Sequence, residues 1–294
     1  MLLWIFLQFS FANIPKNMEF ADSSSTAYVF DLPITYNDKV KYWIQFYQNN
    51  GKKWFYRWLE RGQVHMPELK QALANAGLPQ DLAYLAMMES GLSSYATSHA
   101  NAVGPWQFIK PTGERFKLQI NWWLDERRNF AKSTQAAISY FKYLHKEFGS
   151  WYLVAAAYNT GEGRIRRMIK KYKTKDFWKL SQSQILMKET KDYIPKLIAT
   201  MLIAKTPHLY GFRNIPMSKE LESEPFYAPG GTNLNELADH LGVTRKAMYD
   251  LNPELITKEI PPHINGYLIR IPKGASKMVG LFINRKYNEL AYTK

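Results

Sequence analysis

Between Asn37 and Lys205 the chain repeats one pattern. Apolar residues recur three and four apart, and Gly closes several of the runs. "NDKVKYWIQFYQNN" places Val40, Trp43, Ile44 and Tyr47 on one helix face, with Asn37 in the N-cap place. "KKWFYRWLERG" and "MPELKQALANAG" predict two further helices, ended by Gly62 and Gly77. "LPQDLAYLAMMES", "TQAAISYFKYLHKEFG", "WYLVAAAYNTG", "GEGRIRRMIKKY" and "ETKDYIPKLIATMLIAK" are helical by the same test. Residues 37–206 therefore predict one all-α domain, and the fold class is mainly α.

The rest of the chain differs. Residues 1–12 hold a short apolar run, well under the ~20 residues of a membrane span. Small residues at Ser10 and Ala12 fit the cleavage site of an export signal, which places the protein in the periplasm or cell envelope. A buried N-terminal element is the alternative. Residues 13–36 are read as a loop-like arm and residues 207–225 as a linker. Residues 226–273 run strand, helix, helix, strand, with Leu234, Leu237, Ala238 and Leu241 on one face, a Thr244 cap and "YLIRIP" closing. The tail, 274–294, shows no clear pattern. With 294 residues, 46% of them hydrophobic, the chain can fill one sizeable core and a smaller second unit.

Composition removes several chemistries. There is no Cys, so a disulfide framework, a thiolate nucleophile and a Cys-based zinc site are excluded. The six His, His65, His99, His145, His208, His240 and His263, show no metal-ligand spacing, so no metal is expected. The net charge of +14 suits an anionic partner: nucleic acid, membrane or an acidic wall polymer. "GEGRIRRMIKKYKTK" is either a solvated helix face or part of such a contact.

One acid stands out. Glu89 is the only carboxylate from Ala86 to Phe108. It lies on or beside the apolar stripe of Leu82, Leu85 and Ala86, near a helix C-terminus. Helix-end polarity and partial burial both favour a protonated carboxyl, which suits a proton donor. Glycosidases ordinarily use two carboxylates. The nearest others are Asp81, on a different helix face, and Glu114, beyond a Pro. A lone acid suffices where an N-acetylated sugar supplies its own nucleophile.

Three stretches carry a resemblance. "ESGLSSYATSHANAVGPWQF", "AAAYNTGEGRI" and "ETKDYIPKLIA" resemble, in order, three signatures of the soluble-type lytic murein transglycosylases. "AGLPQDLAYLAMMES" and "WLDERRNF" are similar to the membrane-bound lytic murein transglycosylase D branch. The segment over 226–273 resembles a LysM sugar-binding module of βααβ fold, with Gly231-Thr232-Asn233-Leu234 where that module has G-D-T-L.

The resemblance implies a goose-type, lysozyme-like helical domain followed by the LysM-like module. Its substrate would be the β-1,4 bond after N-acetylmuramic acid in peptidoglycan, and its product a 1,6-anhydromuramoyl end. Glu89 would be the catalytic acid and base. Ser90 would orient it or cap the helix. Ser98 and Gln107 would face the muramoyl unit; Trp106 would cover an apolar sugar face in the cleft or be a core residue, and with Pro105 it departs from the family's G-L-M-Q. Tyr158 would bond near the scissile centre, Asn159 would bind sugar or cap a turn, and Glu189, with Tyr193 packed beside it, would line the N-acetyl pocket. No cofactor is implied. Peptidoglycan strands are the expected partner, nucleic acid is not, and peripheral membrane or wall-protein association and oligomeric state stay open. The rival readings are a goose-type muramidase that uses water and a silent wall-binding scaffold.

Overall fold

A computed structural model describes the backbone of residues 20–21, 27–218 and 221–292, and the side chains of 29–218 and 221–285. The export-signal expectation for 1–12 lies outside the described residues, as does part of the 13–36 arm. The chain divides into two compact units.

The first unit comprises the described residues up to Leu59, Met66–Met88 and Phe141–Ile215. A two-stranded antiparallel pair, β1 (Phe20–Ala21) and β2 (Ala27–Tyr28), lies within the expected arm. Helix α1 (Asp38–Gln48) starts where Asn37 accepts a bond from the Val40 N–H, and it buries Val40, Ile44 and Tyr47.

Helix α2 corrects the expectation of two helices: it runs unbroken over Lys52–Asn75, through Gly62 and Pro67. Its buried stripe is Phe55, Leu59, Gly62, Met66, Leu69 and Leu73. An interior Gly costs about 1 kcal/mol and an interior Pro about 3 kcal/mol. Five large side chains buried at about 1.5–3 kcal/mol each outweigh them.

A 3-10 turn at Gln80–Leu82 leads into α3 (Ala83–Ser90). Within this unit α6 (Trp151–Thr160) is buried all round at Leu153, Val154, Ala155, Ala156 and Ala157, as a central helix must be. It packs on α7 (Glu162–Tyr172) and on a long helix over Lys188–Lys205, which α1 also contacts. Between them lies a short helix, α8 (Phe177–Ser181), so the long helix is α9.

The second unit comprises Glu60–His65, Glu89–Tyr140 and the described residues from Pro216 on. It contains α4 (Lys110–Arg115) and the start of α5 (Phe130–Phe148). Strand β3 (Ser223–Pro229) begins inside the expected linker. Helices α10 (Leu234–Leu241) and α11 (Arg245–Leu251) separate it from β4 (Gly266–Pro272), its antiparallel partner, in register from Ser223↔Pro272 to Pro229↔Gly266. Asn233 and Thr244 cap the two helices. Along β4, Tyr267, Ile269 and Ile271 point inward, while Leu268 and Arg270 are exposed.

The tail also departs from expectation, because Ser276–Tyr292 is a helix, α12. Its signal is the 4-then-3 spacing of Ala275, Val279 and Phe282, which pack on the module core. That core contains two residues from far upstream, Trp123 and Leu124.

Candidate active site

Glu89 sits at the last turn of α3, where the fully buried run from Ala83 to Met87 gives way to half-buried residues. The chain then reverses sharply: Gly91 and Leu92 have φ of 60° and 61°. Arg61 Nη1 donates to the Gly91 carbonyl at 2.8 Å and so satisfies a group that the helix end leaves open. Of the two neighbouring acids in sequence, Asp81 is buried and ion-paired with Lys205 at 2.6 Å. Glu114 is exposed beside Lys110 at 3.8 Å.

The loop after Glu89 is held by its own hydrogen bonds. Thr97 bridges to Val103, and Val103 to Phe108. Ser98 accepts from the Ala102 N–H at 3.1 Å, so its hydroxyl closes a turn. Ser90 Oγ donates to the Pro105 carbonyl at 2.8 Å and accepts from the Ser93 N–H at 3.1 Å. Ser90 thus fastens the helix end to the loop.

Gly104 (φ 82°) cannot be another residue here. A Cβ added to it would lie 1.9 Å from the Arg127 carbonyl oxygen. Gln107 has φ 50°, a left-handed backbone that costs a non-Gly residue about 1–3 kcal/mol and recurs at functional sites. Its Nε2 donates to the carbonyls of Gly104 (2.9 Å) and Ala96 (3.3 Å). The amide nitrogen is therefore spent on the loop, and the amide oxygen is the atom it can offer to a ligand.

Trp106 requires a correction. It is 0% exposed, and its Nε1 donates to Thr134 Oγ1 at 3.0 Å. An indole enclosed on both faces has none to lay on a sugar, so Trp106 is a core residue that anchors the loop to α5. Its buried nitrogen has found the partner that burial demands.

In the first unit, the ring of Tyr158 lies 5.3 Å from that of Phe141. Asn159 Oδ1 accepts from Thr190 Oγ1 at 3.0 Å, and its Nδ2 approaches Glu189 Oε1 at 3.4 Å. Asn159 thus ties the end of α6 to the start of α9. Glu189 is exposed and Tyr193 is buried.

Asp125 and Arg127 lie in the "WLDERRNF" stretch, to which the sequence assigns no site role. Arg127 is buried, and its guanidinium grips both carboxylate oxygens of Asp125, Nε at 2.9 Å and Nη2 at 2.8 Å. Its Nη1 donates to the carbonyls of Asn101 (3.0 Å) and Phe108 (3.1 Å). The available signal was the charged set "DERR" directly after the apolar "WWL".

Residues 66–181 match the family described as the Transglycosylase SLT domain. The chain's similarity to particular proteins is substantial. It is 33% identical over 227 residues to the membrane-bound lytic murein transglycosylase D of Escherichia coli K12 and to that of E. coli O6:H1. The match covers 75% of this chain and 49% of either relative. The chain thus spans about half the length of the curated relatives it matches. Among solved structures, the 70 kDa soluble lytic transglycosylase Slt70 of E. coli is 20% identical with a TM-score of 0.42, over 63% of this chain and 33% of that one.

Proposed function

We propose that this chain is a lytic transglycosylase that cleaves the β-1,4 bond between N-acetylmuramic acid and N-acetylglucosamine in peptidoglycan. The observation that carries the reading is local to Glu89. A single carboxyl ends a buried helix, and a pinned loop follows with Gln107 held in a left-handed backbone. The match of residues 66–181 to the Transglycosylase SLT domain and the likeness to lytic murein transglycosylase D support the substrate class.

The chemistry follows from one acid. Glu89 donates its proton to the glycosidic oxygen as that oxygen leaves the muramoyl C1. The carboxylate then accepts the proton of the muramoyl C6 hydroxyl as O6 bonds to C1. The products are a free N-acetylglucosamine 4-hydroxyl and a 1,6-anhydromuramoyl end, with no water consumed. The substrate's N-acetyl group assists, which relieves the need for a second protein carboxylate. One group serving as acid and then base works best with a pKa near the working pH. Gln107 Oε1 accepts from a sugar N–H or O–H, and Tyr158, Asn159 and Glu189 bind sugar polar groups. Ser90 and Ser98 act by shaping the loop.

The wider reading is a lysozyme-like helical domain over 37–206, followed by a LysM-like module over 226–273, at work in the cell envelope where the substrate lies. The order strand, helix, helix, strand supports the second assignment. Among the described residues no helix is long and apolar enough to cross a membrane.

The test is mass analysis of digested sacculi. Anhydro ends weigh one water less than reducing ends. Products carrying only reducing ends would make the enzyme a muramidase hydrolase. Glu89→Gln should abolish product release by at least about 100-fold, the lower range for a lost acid–base group, while glycan binding persists. Unchanged turnover would remove Glu89 from its role.

A further inference from the structure

The short segment 123–129 joins the C-terminal module to the Gln107 loop, beside a direct bond from Tyr95 OH to the Tyr249 carbonyl at 2.9 Å. On the module side, Trp123 and Leu124 fill the module's own core. Leu124 bridges antiparallel to Leu255; the Asp125 N–H donates to the Glu254 carbonyl and the Ile256 N–H to the Trp123 carbonyl, each at 2.9 Å. Tyr267 OH bonds Glu126 Oε1 at 3.2 Å, and Asn129 Nδ2 donates to Glu254 Oε1 at 2.6 Å. On the loop side, Arg127 spans from the Asp125 carboxylate to the carbonyls of Asn101 and Phe108, the two flanks of the Gly104–Gln107 turn.

We propose that Arg127 is a positioning residue for Gln107, and that the module running from β3 to β4 is the buttress that holds Arg127 in place. This role is separate from any binding of glycan by the module. The inference rests on reading Gln107 as a substrate-binding residue.

Three physical points carry it. A βααβ unit of about fifty residues has little core of its own. Here it borrows an indole and a leucine from the segment it supports, so neither part is complete alone. Second, Arg127 and Asp125 are both buried, and a buried ion pair holds its geometry because losing one partner strands the other charge. Third, the task needs a planar fork. Lysine carries its charge at a point and cannot reach a carboxylate and two carbonyls at once.

The experiment uses the full chain with Arg127→Lys, Tyr267→Phe and Gln107→Ala, singly and with Arg127→Lys combined with Gln107→Ala. Hydrogen exchange reads the loop over 96–108, and steady-state kinetics on a soluble peptidoglycan fragment reads catalysis. Arg127→Lys should speed exchange in 96–108 and leave α9 unchanged. It should lower kcat/KM by about 100-fold, the scale of a misplacement near 1 Å. KM should rise and kcat fall together, as in Gln107→Ala, and Gln107→Ala should add no further loss in the Arg127→Lys background. A merely structural defect would lower apparent kcat with KM unchanged. That outcome, unaltered exchange over 96–108, or losses that multiply would overturn the proposal.

Tyr267→Phe, which keeps the module core, should loosen the same loop more weakly. Unchanged protection there would overturn the buttress role, and this variant decides the matter if Arg127→Lys does not fold. Wild-type enzyme that releases no anhydro product would sink the functional reading instead; loop exchange then decides the positioning claim by itself.

Discussion

Replacing Gly104 with Ala should cost more than any other single-methyl change in this loop. The backbone there has φ 82°, and placing an L-residue in that region costs about 1–2 kcal/mol. The new Cβ would stand 1.9 Å from the Arg127 carbonyl oxygen and 2.6 Å from its carbon. A carbon and a carbonyl oxygen settle at about 3.3–3.6 Å, so the segments must part by roughly 1.4 Å. A shift of that size breaks the bonds from Arg127 to the Asn101 and Phe108 carbonyls, each charge-assisted and each contributing about 1.5–3 kcal/mol. The expected total is about 4–8 kcal/mol, against a typical domain stability of about 5–15 kcal/mol.

Gly77 provides the control. Its φ is 71°, yet nothing lies within 4 Å of an added Cβ, so Gly77→Ala should cost the strain alone, about 1–2 kcal/mol. Guanidinium unfolding of the two variants, followed by tryptophan fluorescence, measures the difference. If Gly104→Ala falls within about 1 kcal/mol of Gly77→Ala, the close approach of Arg127 to the loop is not a stabilising contact and the reasoning fails.

Trp106→Phe removes the donor to Thr134 and leaves a cavity, which should destabilise by about 2–4 kcal/mol while KM of the folded enzyme stays unchanged; a raised KM would restore the sugar-facing role. Glu254 is buried and its carboxyl pKa is raised, chiefly by desolvation, with Glu126 adding to the rise. Because the folded state holds this proton more tightly, the group's stabilising share is complete below the ordinary 4.5 and is lost as pH rises through the raised folded value. Glu254→Gln keeps an acceptor for Asn129 and should flatten that decline, so a variant less stable than wild type at neutral pH would contradict the assignment.

Local chemistry made much of this chain legible. The caps at Asn37 and Thr244 and the apolar stripes of α1, α5, α9 and α10 are short-range features, and they appear where periodicity puts them. Glu89 stands out because an isolated acid after an apolar run is costly to bury alone, and that cost motivates the role proposed for it. The failures share one cause. Gly62 and Pro67 are local helix breakers, but a buried stripe running past them wins. Trp106 offers an aromatic face in sequence, and only its enclosure by the core shows that the face is unavailable.

The sequence by itself determined the helical class and the isolation of Glu89 between Ala86 and Phe108, since each depends on residues close together in the chain. Tertiary structure alone decided that Trp123 and Leu124 complete a core built more than a hundred residues later. It also decided that Arg127 and Gly104 meet backbone to backbone. Contacts of that separation leave no period or spacing to read, because the loop-closure entropy they overcome is supplied by the rest of the fold.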